Sequence, residues 1–209
     1  MMERDWRQQC HEFLETEAAA EDENARLSLA TPRSSCPSCG HTIRAWENIP
    51  VFSYLLLGGK CSSCKTPISI QYPVIEAVTA IMSVVVAWKF GVTLQTLGAL
   101  FFTWALISLT MIDVHKQLLP DNITLPLLWS GLLLAIPETY TTLESSVIGA
   151  IAGYMVLWSV FQLFKLVTGK EGMGFGDFKL LAALGAWLGW QMLPQIILVS
   201  SVVGAVTGI

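Results

Sequence analysis

Residues 93–113 read TLQTLGALFFTWALISLTMID, a run of apolar and uncharged residues that carries no charge until Asp113. At about 1.5 Å per residue such a run crosses a hydrocarbon core about 30 Å thick. Comparable runs lie at 72–90, 122–137, 143–165, 179–193 and 194–209. One run could be a buried soluble helix, but six in succession call for lipid as the solvent. The expected fold is therefore an all-α polytopic membrane protein with about six transmembrane helices. Spans 122–137 and 179–193 are short for a full crossing and must borrow flanking residues or shelter among neighbours. Gly98, Gly149, Gly153, Gly185, Gly189 and Gly204 lie inside these runs, where small residues let helices approach closely in lipid.

Composition agrees with that division. The chain is 53% hydrophobic and only 13% charged, against about 25% charged in an ordinary soluble domain. Most of the charge precedes Gln71. Residues 1–71 therefore read as a polar head and residues 72–209 as the membrane domain. The first 30 residues suit a helix with a solvated acidic face, which Thr31-Pro32 ends. No long basic run suggests nucleic acid, and the N-terminus lacks the apolar core of a cleaved signal peptide.

Between Cys36 and Gln71 the head is rich in turn residues and too poor in apolar ones to build a core without a staple. Cys36-Pro37-Ser38-Cys39 and Cys61-Ser62-Ser63-Cys64 supply one. Two CxxC knuckles can turn four thiolates toward one tetrahedral ion, and four sulfurs with no open position suit structural zinc. Redox pairs or disulfides are the alternative, disfavoured in a reducing compartment. Cys10 stands apart from these pairs.

The side of the membrane follows from the basic residues. With six spans, eleven of the twelve Lys and Arg fall on the side of the head, including Lys116, Lys165, Lys170 and Lys179 in its loops. Lys89 alone falls on the other. The head and those loops are thus expected in the cytosol.

That topology sets two carboxylates at matching depth. Asp113 ends the second span, and Asp177 opens the fifth within Gly174-Phe175-Gly176-Asp177-Phe178-Lys179. Ionisable groups in or at the bilayer are costly and tend to be functional. Two close carboxylates resist ionising together and share a proton. One can then activate a water while the other, protonated, polarises a carbonyl. The plainer reading makes both interfacial residues, with Asp177 as a helix cap. Gly174 and Gly176 suit a tight bend or a close backbone approach. Glu76, about a turn inside the first span, needs a partner or a proton. Lys179 either tunes Asp177 or anchors its helix. Asp121, after Pro120, is most simply a cap.

The GFGDFK string resembles the GxGD motif of intramembrane aspartic peptidases. Together with Asp113, Leu119-Pro120-Asp121, Tyr72-Pro73-Val74-Ile75-Glu76 and the two CxxC pairs, the chain resembles bacterial prepilin peptidases, the type IV leader peptidases. The resemblance implies a bacterial inner-membrane aspartic endopeptidase with catalytic Asp113 and Asp177 and supporting Gly174, Gly176, Lys179 and Glu76. It implies zinc on Cys36, Cys39, Cys61 and Cys64. The substrates it implies are prepilins and pseudopilins, whose basic cytosolic leader is cut off after a glycine. Many members then methylate the new N-terminus with S-adenosylmethionine. Relative to such members the chain is expected to be truncated at both ends, since no transmembrane helix precedes the head and the last apolar run stops at Ile209. Two other functions stay open on the residues alone. A proton-coupled transporter would spread carboxylates through the membrane depth, as only Glu76 does. A non-catalytic adaptor working through the zinc module would tolerate loss of both aspartates.

Overall fold

The structure, a computed structural model, describes residues 35–36, 38–49, 51–170 and 174–207. The helix expected over residues 1–30, Cys10 and the end of the last run lie outside these residues. The described chain forms seven α-helices: α1 (Phe52–Leu56), α2 (Gln71–Phe90), α3 (Leu94–Lys116), α4 (Asp121–Ala135), α5 (Leu143–Thr168), α6 (Phe175–Leu188) and α7 (Leu193–Thr207). Among the described residues there is no strand, only two isolated antiparallel bridges, Ser35 with Thr42 and Lys60 with Pro67. The chain divides into two compact units between Ala77 and Val78.

In the first unit each bridge closes a knuckle on one CxxC pair, and the two knuckles share one construction. Cys36 N–H donates to His41 O at 2.9 Å, and Gly40 N–H to Cys36 O at 2.9 Å. In the second, Cys61 N–H donates to Thr66 O at 2.9 Å, and Lys65 N–H to Cys61 O at 3.1 Å. Gly40 and Lys65 occupy equivalent left-handed positions, with φ of 68° and 59°. Lys65 is thus a non-glycine residue where glycine fits best. Further on, Val51 holds φ of 61° at the start of α1, a strained conformation for a β-branched residue. Its N–H donates to Glu76 Oε2 at 3.0 Å. The carboxylate that the sequence leaves in need of a partner accepts from this strained turn.

The second unit is a helix bundle whose directions can be read from its contacts. As α5 advances, its partners on α6 recede. Ser146 Oγ donates to Ala186 O at 2.5 Å, Gly149 meets the backbone of Gly185, Tyr154 packs edge-on to Phe178, and Phe161 reaches Phe175. The two helices are therefore antiparallel. Added Cβ atoms at Gly149 or Gly185 would run into the other's carbonyl oxygen, so both glycines are required by close backbone approach. In contrast α4 and α6 are parallel: Asp121 pairs with Lys179, and Trp187 Nε1–H donates to Leu127 O at 2.7 Å. Ala105, Leu109, Leu127, Ala183 and Trp187 form the buried core where α3, α4 and α6 meet. Trp104 of α3 donates to Ser83 of α2 at 3.0 Å.

Three helices, α2, α3 and α5, are long and apolar enough to cross a membrane. A fourth span arises if α6 and residues 190–206, bent by 120° at their junction, count as one. The sequence reading divides the same stretch into six. Each of the six runs holds one of the helices α2–α7, and the counts differ because α4, α6 and α7 are short. Gly189, at φ of 83°, ends α6 after 14 residues, and a 3₁₀ turn over Trp190–Met192 follows, so the run read as one span to residue 193 is two pieces. Helix α4 has 15 residues, about 22 Å, and stops ahead of Pro137, as a residue before proline favours. Val84, Leu97, Leu163 and Val202 are among many large apolar side chains left exposed. A surface of that kind belongs in lipid. The protein is a membrane protein.

Candidate functional site

Two constellations gather the residues singled out by the sequence. The first is in the head. Cys36, Cys39, Cys61 and Cys64 hold their sulfurs all within 4.8 Å of one another, a group that could hold a metal ion. All four are free thiols, and Cys61 is buried. Their surroundings differ. The Thr66 hydroxyl lies 3.1 Å from Cys64 Sγ, and together with the Thr66 backbone it draws that thiol down to about 6. Backbone hydrogen bonds from Ser38 and Cys39 lower Cys36. A backbone hydrogen bond from His41 acts the same way on Cys39, but burial and the neighbouring sulfurs outweigh it and push that thiol up to about 11. Beside the cluster, Glu47 takes the Arg44 N–H at 2.9 Å. That bond and the Ser62 hydroxyl hold the carboxyl below its usual range.

The second constellation lies in the bundle. Asp113 is in the last turn of α3, which runs one turn past the expected end to Lys116. Gln117, at φ of 50°, caps the helix, and its N–H donates to Asp113 O at 2.7 Å. Asp177 is the third residue of α6. Because α4 and α6 are parallel and α5 returns between them, the end of α3, the start of α4, the end of α5 and the start of α6 share one end of the bundle. Asp113 and Asp177 both belong to that end. Asp113 is exposed and Asp177 partly buried. Asp177 is not a cap: Gly174 holds the N-cap position, with no side-chain cap bond. An acidic residue in a first turn is favoured by the helix dipole.

The two glycines of the motif do different things. A Cβ on Gly176 would lie 2.8 Å from Leu119 Cβ, so this position lets the α3–α4 connection lie directly against α6. Gly174 has an extended backbone, φ of −77°, and a Cβ there would find only Asp177 Oδ2, at 4.0 Å. Lys179 pairs with Asp121. Its Nζ donates to both carboxylate oxygens of Asp121 at 2.7 Å. Asp121 is accordingly an ion-pair partner, and Pro120 takes the N-cap position of α4. Glu76 belongs to the other unit, on the Val51 turn. Sequence reasoning missed a cavity of about 430 Å³ beside Asp177, lined by Leu180, Leu184, Ile197, Ser200 and Gly204 among others. Its walls come from helices whose packing no local pattern reveals.

A helical membrane protein with a four-thiol head and a pair of carboxylates at one end of its bundle is the class these features define. The chain belongs to the type IV leader peptidase family, which matches residues 100–209. Residues 10–90 match the bacterial peptidase A24 N-terminal domain. It is 56% identical over 208 residues to a prepilin leader peptidase/N-methyltransferase of Stutzerimonas stutzeri, covering 100% of this chain and 71% of that protein. The protein of that name from Pseudomonas aeruginosa is 55% identical over 209 residues, 100% of this chain and 71% of its own length. The one from Neisseria gonorrhoeae is 52% identical, covering 100% and 73%. No solved structure matches the chain.

Proposed function

We propose that this protein removes the leader peptide of type IV prepilins and pseudopilins and then methylates the new N-terminus. What supports the reading is that Asp113, in the last turn of α3, and Asp177, in the first turn of α6, lie toward one end of an apolar bundle, in a chain of the leader peptidase family. In this reading the two aspartates are the catalytic residues. One accepts a proton from the attacking water, and the other, holding the shared proton, donates to the scissile carbonyl. Partial burial of Asp177 strengthens such charge-dependent steps. Gly176 keeps the Asp113 connection against α6, Gly174 leaves space beside Asp177, and Lys179 and Glu76 support the structure around them. The relatives' names supply the second activity. S-adenosylmethionine, as methyl donor, supplies an electrophilic methyl group, and no residue of this chain is assigned to it.

The head is a structural zinc site in this reading. Tetrahedral zinc with sulfurs at about 2.3 Å requires sulfur–sulfur separations of about 3.8 Å. Cys36 and Cys64 stand 3.8 Å apart, nearly twice a disulfide bond of about 2.05 Å. Four thiolates leave the ion no open position, so it staples the head and takes no part in hydrolysis.

All six long helices occupy the bilayer in the proposed topology, with the head and the carboxylate end facing the cytosol of the bacterial inner membrane. The parallel run of α4 and α6 supports it, since their starts then share a side and α5 leads back. A leader rich in basic residues would lie on that face, held at the membrane by the apolar segment that follows it. Neither the transporter nor the adaptor reading gains support from the relatives.

The test is direct. The protein in lipid vesicles is incubated with a prepilin, with and without S-adenosylmethionine, and the product N-terminus is read by mass spectrometry. Loss of the leader, plus a mass gain of one methyl group only with the donor, is expected. An intact leader under both conditions would refute the peptidase reading, and cleavage with no methylation would refute the second activity.

A further inference from the structure

We infer that Asp121 and Lys179 are positioning residues for the carboxylate site, forming a clamp that fixes the register between the element carrying Asp113 and the helix carrying Asp177. The inference rests on the catalytic reading of those two aspartates. Lys179 Nζ lies 2.7 Å from both Asp121 oxygens, which ties the first residue of α4 to the fifth residue of α6. Asp177 is two residues before Lys179 on the same helix. Asp121 closes the short connection that leaves α3 just after Asp113, through Gln117 in its left-handed conformation. The pair therefore spans the frame between the two carboxylates while touching neither.

A second contact reinforces the first. Gly176 sits so close to Leu119 that any side chain there would meet its Cβ at 2.8 Å. The connection is held against α6 at 119/176 by contact and at 121/179 by charge. Two ties in adjacent turns suppress sliding and rotation as one tie does not.

Stability alone does not account for the ion pair. Its side chains are 31% and 51% exposed, and pairs that open to solvent add little to folding. The helices it joins are already fastened deeper in the bundle, by the Trp187 donor on Leu127 O at 2.7 Å and by the buried Leu127, Ala183 and Trp187. What the pair adds is direction at the end of the bundle where the reaction is placed. Misplacement of reacting groups by about 1 Å can cost on the order of 100-fold in rate.

A double-mutant cycle in the full chain tests this, with prepilin cleavage in vesicles as the readout. Asp121→Asn and Lys179→Met should each lower kcat by about 10- to 100-fold, with KM held within about twofold and the melting temperature unchanged. The double variant should be no slower than the slower single one, and Lys179→Arg should restore most of the rate. Full-rate cleavage by Asp121→Asn, losses that multiply in the double variant, or a loss explained by KM or by melting would each overturn the clamp. Asp113→Asn and Asp177→Asn are assayed in parallel. If they cleave, the catalytic reading falls and the clamp falls with it. If they are silent while Asp121→Asn and Lys179→Met cleave normally, the clamp alone is wrong.

Discussion

In the head, two knuckles of the same build face each other through four sulfurs, and among the described residues Cys61 is the buried apolar side chain there. In the bundle, Leu109, Leu127, Ala183 and Phe178 are almost wholly buried, and α5 and α6 touch backbone to backbone at Gly149 and Gly185. Among the described residues one unit has donors converging on a point and almost no core; the other has a core and no converging group of metal donors. The head is thus expected to depend on a ligand and the bundle on how near two helix axes can come. Perturbing the ligand or the approach should separate the two.

The largest effect is expected from the ligand. Structural zinc contributes about 10–16 kcal/mol in small finger peptides, more than a head this small can replace. Cys61→Ser or a strong chelator should make the head sensitive to protease and abolish bound metal, measured by elemental analysis, while the bundle resists digestion. A metal-free head that stays protected would break the comparison. Gly149→Val comes next. Its side chain would run into Gly185 O, and overpacking of this kind costs about 1–3 kcal/mol or more. The bundle's melting temperature in detergent should fall while the metal content stays whole.

A smaller effect separates the two motif glycines. Gly176→Ala should slow cleavage, because Leu119 must move away from α6. Gly174→Ala should leave stability within about 0.5 kcal/mol, since its backbone suits any residue and nothing but Asp177 Oδ2 lies near. Equal loss at both positions would argue against the close-approach explanation. The smallest effect is chemical. In metal-free protein, Cys64 should be alkylated first, because only the thiolate reacts and Thr66 holds that thiol at about 6. Its reactivity should be full above that value and fade as pH falls through it. Cys39, pushed up to about 11, should react last, and peptide mapping reads the order.

How much of this could be read beforehand depends on the range over which each feature is set. The cysteine cluster was legible because CxxC spacing is local and two copies suffice to imply a common ligand. The apolar runs were legible for the same reason, but the position of the break at Gly189 was not. Gly189 looks like any small residue in a membrane helix, and only the path toward Trp190 and Leu193 makes it a terminator. Asp121 and Lys179 lie 58 positions apart, so the sequence offered a cap and a residue that tunes Asp177 or anchors its helix, where the fold makes a pair. Glu76 announced its need for a partner by its depth in an apolar run, yet the partner, a strained N–H at Val51, is beyond any pattern. Asp113 and Asp177 were placed together by topology alone, through the alternation of helices that sends both to one end.

The most direct test of the central claim is cleavage by the two single-aspartate variants. Asp113→Asn and Asp177→Asn, each inserted in vesicles with its metal bound, are given a prepilin, and the leader is followed by mass spectrometry. The account predicts an intact leader with both variants under conditions where the unmodified protein removes it completely. Removal of the leader at the normal rate by either variant would contradict it.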